Sequence, residues 1–306
     1  MSEHDRDRFK GVFTALVTPF RDGGVDLASF EALVQRQIDA GVAGLVPVGT
    51  TGEAATLDEA ETDAVVRRTV ALARGRVLVV AGAGSNDTAA AVAKARRAEA
   101  AGADALLVVT PYYNKPTQAG LVRHYDAVAA ASGLPVMLYS VPGRCGVEIA
   151  PETCAVLRER HANVVAIKEA GGSTERVSRI RRACGDDFVI HSGDDALTLP
   201  FLATGAVGVT SVVSNFAPEP LVAMVRAWHA GDWGRALALH DLIGELAEGM
   251  FIEANPGPVK AALAMEGLAL ADMRAPMAEM ESASLERLAG IVARFRADAA
   301  VFQEMR

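Results

Sequence analysis

The chain has 306 residues, 51% of them hydrophobic, and a formal net charge of minus 8. That length and hydrophobic content suffice for a large core, as one big domain or a domain with an appendage. An acidic balance with no basic stripe excludes a nucleic-acid surface as the principal role, since phosphate binding needs clustered Lys and Arg, and leaves a small-molecule partner as the expectation.

The first ten residues lack the apolar core of a signal peptide, and no later apolar run approaches the length of a membrane span, so a soluble, cytoplasmic chain is expected. Cys145, Cys154 and Cys184 are too few and too irregularly spaced for a disulfide framework or a zinc knuckle, and reduced thiols are expected.

From the N-terminus onward, short Val/Leu/Ile-rich runs recur at residues 12–17, 44–48, 77–81, 105–110, 136–140, 164–168, 188–192 and 207–211. Their hydrophobicity is continuous rather than alternating, as in parallel strands covered on both faces. Amphipathic helical patterns follow them at 27–40, 57–74, 88–101, 118–131, 151–160, 174–184, 196–203 and 218–230. Thr56-x-x-Glu59 reads as a capping box, Asp87 or Thr88 as the cap of the third helix, and Gly41, Gly102 and Gly231 as helix stops.

Strict alternation of eight strand and helix pairs predicts a (β/α)8 TIM barrel, because right-handed crossovers carry parallel strands around until the sheet closes. An open doubly wound sheet is the competitor. It lacks a complete Gly-x-Gly-x-x-Gly fingerprint: Gly82-Ala-Gly84-Ser-Asn-Asp comes nearest and reads as a tight strand-to-helix turn. The predicted organisation is a catalytic barrel over residues 1–231 and a C-terminal helical region over 232–306, with three helical segments broken at Asn255-Pro-Gly-Pro258. This tail is expected to pack against the barrel's side and to carry no chemistry.

In such a barrel the chemistry sits at the C-terminal ends of the strands. The second run ends in Gly49-Thr50-Thr51-Gly52-Glu53, the fourth in Pro111-Tyr112-Tyr113-Asn114, the fifth in Tyr139-Ser-Val-Pro-Gly-Arg144, the sixth in Lys168-Glu169 and the seventh in His191-Ser-Gly-Asp194-Asp195. A strand-end lysine often only snorkels to solvent. Lys168, however, follows four apolar residues at the active face, where desolvation lowers an ammonium's pKa and frees the amine that attacks carbonyls. That chemistry is Schiff-base formation with a keto acid.

Tyr139, Tyr113 and Thr50 supply hydroxyls for proton transfer. Although barrel tyrosines usually only pack, three of the chain's four stand at strand ends. Thr50-Thr51-Gly52, ahead of a helix, suits a carboxylate, and Arg144 in a Pro-Gly turn suits a second one. His191 with Asp194 and Asp195 is the single candidate metal cluster. It loses for want of ligand spacing, with helix capping by Asp194 as the alternative. Gly205 and Gly208 either line a phosphate site or permit close backbone approach to a ligand.

As a set, Gly49-Thr-Thr-Gly-Glu53, Pro111-Tyr-Tyr-Asn114, Tyr139-Ser-Val-Pro-Gly-Arg144, Ile167-Lys-Glu-Ala170 and Ser192-Gly-Asp-Asp195 resemble the dihydrodipicolinate synthase family of pyruvate-dependent class I aldolases and lyases. The likeness runs from about Gly11 into the C-terminal helices, including Asn255-Pro-Gly-Pro-Val-Lys260. It implies condensation of pyruvate with L-aspartate 4-semialdehyde in lysine and diaminopimelate biosynthesis, with no metal or organic cofactor. Lys168 then matches the Schiff-base lysine, Tyr139 the proton-transfer tyrosine, and Thr50 and Tyr113 its relay, with Tyr113 reaching into a neighbouring subunit. Gly49, Thr51 and Thr210 fall at pyruvate-pocket positions, and Arg144 matches the receiver of the semialdehyde's carboxylate. A homo-oligomer, a tetramer built as a dimer of dimers, is the family expectation.

Thr50 and Arg144 favour the synthase over sialic-acid lyases, which usually read Gly-Ser-Thr-Gly-Glu and lack that arginine. Ser140, Cys145 and Thr210 depart from the common asparagine, threonine and isoleucine. A lyase or aldolase for N-acetylneuraminate or a keto-deoxy sugar acid is the rival within the superfamily, and a non-catalytic keto-acid-binding homologue is the rival outside it. In sensitive relatives lysine binds near the positions of Asn86 and Tyr112, with histidine common at that of Glu59 and glutamate at that of Ala90. Here the site reads as vestigial: Ala90 offers the effector's ammonium no carboxylate, and Glu59 sets an anion toward its carboxylate. Steady-state assays should therefore show weak or no inhibition by L-lysine, and strong inhibition at submillimolar lysine would contradict this reading.

Overall fold

All eight apolar runs are strands that close into one parallel barrel, in a computed structural model that describes residues 7–304. In chain order the elements are β1 (Gly11–Ala15), a hairpin of β2 (Phe20–Arg21) and β3 (Gly24–Val25), α1 (Leu27–Ala40), β4 (Gly44–Val46), α2 (Glu59–Ala73), β5 (Leu78–Gly82), α3 (Thr88–Ala100), β6 (Ala105–Val109) and α4 (Gln118–Ala130). They continue with β7 (Val136–Ser140), α5 (Pro142–Cys145), α6 (Pro151–Arg160), β8 (Val164–Glu169), α7 (Thr174–Cys184), β9 (Val189–Ser192), α8 (Thr198–Ala203), β10 (Gly208–Ser211) and α9 (Pro218–His229). The tail comprises α10 (Trp233–Gly249), α11 (Gly257–Met265) and α12 (Ser282–Glu304). Residues 1–6 and 305–306 of the two predicted regions lie outside the described residues.

The barrel runs β1-β10-β9-β8-β7-β6-β5-β4 and closes by β4 pairing with β1. Every residue of β8 is buried, the mark of a strand covered on both faces, with barrel interior on one side and helices on the other. Phe13, Val46, Val80, Leu107, Met137 and Val189 fill the interior, while a larger apolar layer of Leu, Val, Ile and Ala joins strands to the surrounding helices.

Glycine closes the ring at β1. A Cβ on Gly208 would lie 2.0 Å from the Gly11 carbonyl oxygen, and one on Gly44 would lie 2.7 Å from the Phe13 ring. The structure gives Gly208 a role other than the two expected, since what it approaches closely is the Gly11 backbone of the neighbouring strand.

Helix ends follow the predicted chemistry with one shift. The capping box is Asp58 with Glu61, two residues beyond the predicted pair, while the Thr56 hydroxyl donates to the Glu53 carbonyl instead. Asp87 caps α3 by accepting from Ala89 and Ala90, and Gly41 ends α1 in the left-handed conformation at φ 81°.

The tail departs from expectation. Its three helices form as predicted, yet Leu246, Met250, Val259 and Leu263 pack with Val17, Val212 and Val213 at the ends of β1 and β10. Lys260 of α11 forms a buried ion pair with Glu53, and the Lys260 ammonium stands 4.3 Å from the centroid of the Phe20 ring. The tail thus reaches the C-terminal mouth of the barrel as well as its flank. Sequence periodicity reveals which face of a helix is apolar, but not the surface it will cover.

Gly208→Ala should cost about 3 kcal/mol or prevent folding, because its methyl would collide with backbone that cannot move without opening the ring. At Gly234, in the first turn of α10, an added Cβ meets nothing within 4 Å, and Gly234→Ala should be neutral or stabilise by up to about 1 kcal/mol. Urea unfolding of the two variants measures both.

Candidate active site

Strand register brings the key side chains together. Lys168 on β8 is the Cα partner of Tyr139 on β7 and of His191 on β9, so the three side chains share one inward-facing level. Lys168 is only 5% exposed, and its ammonium lies 4.4 Å from the centroid of the Tyr139 ring. Among the described residues Lys168 forms no ion pair, whereas Lys260, the other buried lysine, is held by Glu53. Gly193 makes the room: a Cβ there would stand 3.1 Å from Lys168 Cε and 2.7 Å from Ala170 Cβ.

One residue on, the alternation of the strand sends Glu169 outward. Its carboxylate accepts from Arg176 Nη2 at 2.9 Å and from the Gly171 amide at 2.7 Å, and Arg176 also donates to the Ile149 carbonyl. Burial pushes the Glu169 carboxyl above its ordinary range, against the pull of Arg176. This pair fixes the end of β8 to α7.

A cavity of about 350 Å³ opens at the C-terminal ends of the strands. Gly49, Thr50, Tyr112, Tyr139 and Arg144 line it, with Cys145, Lys94 and, from the tail, Asn255, Pro256 and Met277. The turn after β4 and Lys168 on β8 face each other across the ring, four strands apart in an eight-stranded barrel. Lys168 itself is not among the residues that line the cavity; Tyr139, whose ring faces its ammonium, is.

Backbone strain marks the loops that shape this mouth. Val48 at φ 51°, Glu53 at φ 52° and Tyr113 at φ 72° all occupy the left-handed region that side chains with a Cβ disfavour. Val48 is β-branched, which makes its conformation the costliest of the three. A Cβ on Gly82 would lie 2.1 Å from the Val48 carbonyl oxygen, so the glycine ending β5 accommodates the kink.

Other predicted residues sit elsewhere. Thr51 is buried behind the lining, where its hydroxyl accepts from Asn255 Nδ2 at 3.0 Å. Thr210 is buried and does not line the cavity, and its hydroxyl stands 3.1 Å from His191 Nδ1. Tyr113 is 89% exposed and points away from the cavity of its own chain. Of the vestigial-effector residues, Tyr112 lines the cavity, Asn86 lies outside the lining with its carbonyl accepting from Asn114, and Glu59 is exposed and paired with Arg97 at 2.7 Å. The Glu59 carboxylate is thus partly neutralised by Arg97, a partner that sequence reading missed.

The residues weighed for metal binding have other partners. His191 Nε2 stands 2.6 Å from the Phe9 carbonyl, which can only accept, so Nε2 carries the proton and Nδ1 accepts from Thr210. The Asp195 carboxylate accepts from the Ser211 hydroxyl and from the Val212 and Val213 amides, and Asp194 accepts from the Ala196 amide.

Sequence reading also missed Lys94 and Asn255. Lys94, assigned only to a helical face, reaches the cavity and donates to the Gly84 carbonyl at 3.4 Å, and burial draws its ammonium below the ordinary range. Asn255, in a break taken as purely structural, touches the threonine turn. Its one sequence signal is an amide-bearing residue standing before Pro-Gly-Pro, which no spacing rule ties to the turn after β4. Burial also pushes the Cys145 thiol upward, which keeps it protonated at the cavity wall.

Comparison with known proteins adds a family to this geometry. The dihydrodipicolinate synthetase family model matches residues 8–294. The 4-hydroxy-tetrahydrodipicolinate synthase of Syntrophus aciditrophicus is 47% identical over 280 residues, spanning 92% of this chain and 96% of that one. The solved 4-hydroxy-tetrahydrodipicolinate synthase of the thermoacidophilic methanotroph Methylacidiphilum fumariolicum SolV superposes with a TM-score of 0.95 at 46% identity, over 97% of this chain and 99% of that one. A chloride-inhibited dihydrodipicolinate synthase from Acinetobacter baumannii, solved in complex with pyruvate, superposes with a TM-score of 0.91 at 39% identity, over 94% and 98% of the two chains.

Burial holds His191 neutral by lowering its pKa from 6.5 to about 4. In the unfolded chain it titrates near the ordinary value of about 6.5. Between these values the unfolded state binds the extra proton, so this stabilisation is complete above pH 6.5 and is lost as pH falls through about 4. Unfolding free energies measured across that window should fall by about 3 kcal/mol more in the wild type than in His191→Gln. Equal slopes would remove His191 from the acid response.

Proposed function

The chain belongs to the dihydrodipicolinate synthetase family, and on that premise we propose that it condenses pyruvate with L-aspartate 4-semialdehyde, the 4-hydroxy-tetrahydrodipicolinate synthase reaction of lysine and diaminopimelate biosynthesis. It is a lyase-type enzyme of the class I aldolase kind. The observation that carries this reading is a buried lysine with no ion-pair partner among the described residues, facing a tyrosine ring at the C-terminal end of a parallel barrel's strands.

The Lys168 amine attacks the ketone carbon of pyruvate, and the oxygen leaves as water with protons delivered through Tyr139. Thr50, on the cavity wall, connects that tyrosine to the mouth as a relay. The iminium acts as electron sink for loss of a proton from the methyl group, so the chemistry calls for no metal or organic cofactor. The resulting enamine forms a carbon–carbon bond to the aldehyde of the second substrate. Attack of that substrate's own amine on the imine then closes the ring and frees Lys168. Overall, one water is released.

Thr51 and the amides of the Gly49–Glu53 turn take pyruvate's carboxylate, and Arg144 takes that of the semialdehyde. Thr210 supports the pyruvate pocket through its bond to His191. Over the described residues, the span up to 231 serves as the catalytic barrel and the span from 232 as a helical region that completes its mouth.

A homo-oligomer, as a tetramer of paired dimers, accounts for Tyr113, whose outward side chain serves the site of another copy. No helix among the described residues is long and apolar enough to cross a membrane, and a biosynthetic step on small acids fits the cytoplasm.

Borohydride added with pyruvate should leave a stable mass adduct located on Lys168, with none in Lys168→Ala, whose turnover should drop by about 10⁴-fold or more. Lack of an adduct in the wild type would remove the Schiff base and leave a keto-acid-binding protein. Turnover of N-acetylneuraminate or a keto-deoxy sugar acid, in place of pyruvate with the semialdehyde, would move the chain to another branch of the superfamily.

A further inference from the structure

We propose that Asn255 of the C-terminal tail is a positioning residue, which aims the hydroxyl of Thr51 at the substrate's carboxylate. The proposal deepens the function given above and rests on its assignment of Thr51 to pyruvate's carboxylate.

A threonine hydroxyl has one hydrogen to donate and two lone pairs, and rotates to suit its surroundings. Facing an anion it helps only when the hydrogen points outward. Asn255 Nδ2 donates to Thr51 Oγ1 at 3.0 Å, and the two residues are 5% and 3% exposed. Because the amide nitrogen can only donate, it occupies a lone pair of Thr51 and leaves the hydrogen free for a ligand.

This direction leaves the amide's other end unpaired. Among the described residues Asn255 Oδ1 is buried without a partner. Turned over, the amide would satisfy that oxygen with the Thr51 hydrogen and consume the donor the substrate needs. The observed orientation accepts an unpaired carbonyl and keeps Thr51 available.

The backbone around Asn255 is fixed at both sides. Arg144 Nη2 donates to its carbonyl at 3.4 Å, and within the first turn of α11 Lys260 is paired with Glu53, the last residue of the threonine turn. Lys260 also donates to the Asp272 carbonyl at 2.7 Å, and the Arg274 amide donates to Glu53 at 3.2 Å. Asn255 therefore links the two groups assigned to the two substrate carboxylates: its side chain holds Thr51 and its carbonyl holds Arg144.

The test is steady-state kinetics on the full-length variants Asn255→Ala, Asn255→Asp, Thr51→Val and the Thr51→Val/Asn255→Ala double variant, with the pyruvate dependence of borohydride trapping as an independent measure of the first half-reaction. Asn255→Ala should raise the pyruvate KM by about three- to tenfold with kcat changed by less than about threefold, the scale of one misdirected hydrogen bond to a charged group. Asn255→Asp, nearly isosteric, should raise it further, because its carboxylate takes the Thr51 hydrogen and repels the incoming anion. In the Thr51→Val background, Asn255→Ala should add nothing to the pyruvate KM.

The proposal is overturned if Asn255→Ala leaves the pyruvate KM at its wild-type value, if the two substitutions add in full, or if Asn255→Asp is no worse than Asn255→Ala. Should Asn255→Ala not fold, Asn255→Asp decides alone, and a wild-type KM in that variant overturns it. An unchanged KM in Thr51→Val would instead sink the assignment of Thr51, and this proposal with it, while Lys168 trapping stands apart from both.

Discussion

The proposed site depends on an ammonium held inside a closed sheet with an aromatic face opposite it and, among the described residues, no ion-pair partner. The two buried lysines of this chain show what that difference means. Lys260 has Glu53 as a counter-ion and the Asp272 carbonyl as a further acceptor, and its pairing joins the tail to the barrel. Lys168 has the Tyr139 ring and the space left by Gly193. A carboxylate beside Lys168 would bond its nitrogen directly, whereas the Tyr139 ring only presents a π-face to it. A threonine turn stands across the ring from the strand that carries Lys168, and Arg144 lines the mouth.

Much of this was legible in the sequence, and the reasons are local. Strands buried on both faces leave continuous apolar runs, so each of the eight was found to within two residues at either end. Parallel topology fixes which end of each strand carries polar groups, which is why Thr50, Tyr139, Arg144 and Lys168 could be placed at the C-terminal ends of their strands from position alone. Helix stops at Gly41, Gly102 and Gly231 follow from the left-handed conformation that glycine tolerates.

What escaped is non-local. The hairpin of β2 and β3 is too short for a period, and the capping box moved because Asp58 competes with Thr56 for the same role. The pairing of Glu59 with Arg97 joins two helices whose packing no pattern within either one discloses. The tail's approach to the mouth depends on Asn255 meeting Thr51 and Lys260 meeting Glu53, contacts separated by 204 and 207 residues of chain. Thr210 needed the structure too: only a neutral His191, bonded to the Phe9 carbonyl, shows where its hydroxyl is directed.

The glycine seam between β1 and β10 bears on how the molecule comes into being. Val17 and Asn215, bonded at that seam, are 198 residues apart, so the last strand to be synthesised is the one that completes the cylinder. Until then a growing chain presents two raw sheet margins, one on β1 and one on β9, each able to recruit a strand from another nascent copy. At Gly11 and Gly208 no side chain stands between the first and last strands of the cylinder, so their backbones can meet directly once β10 exists.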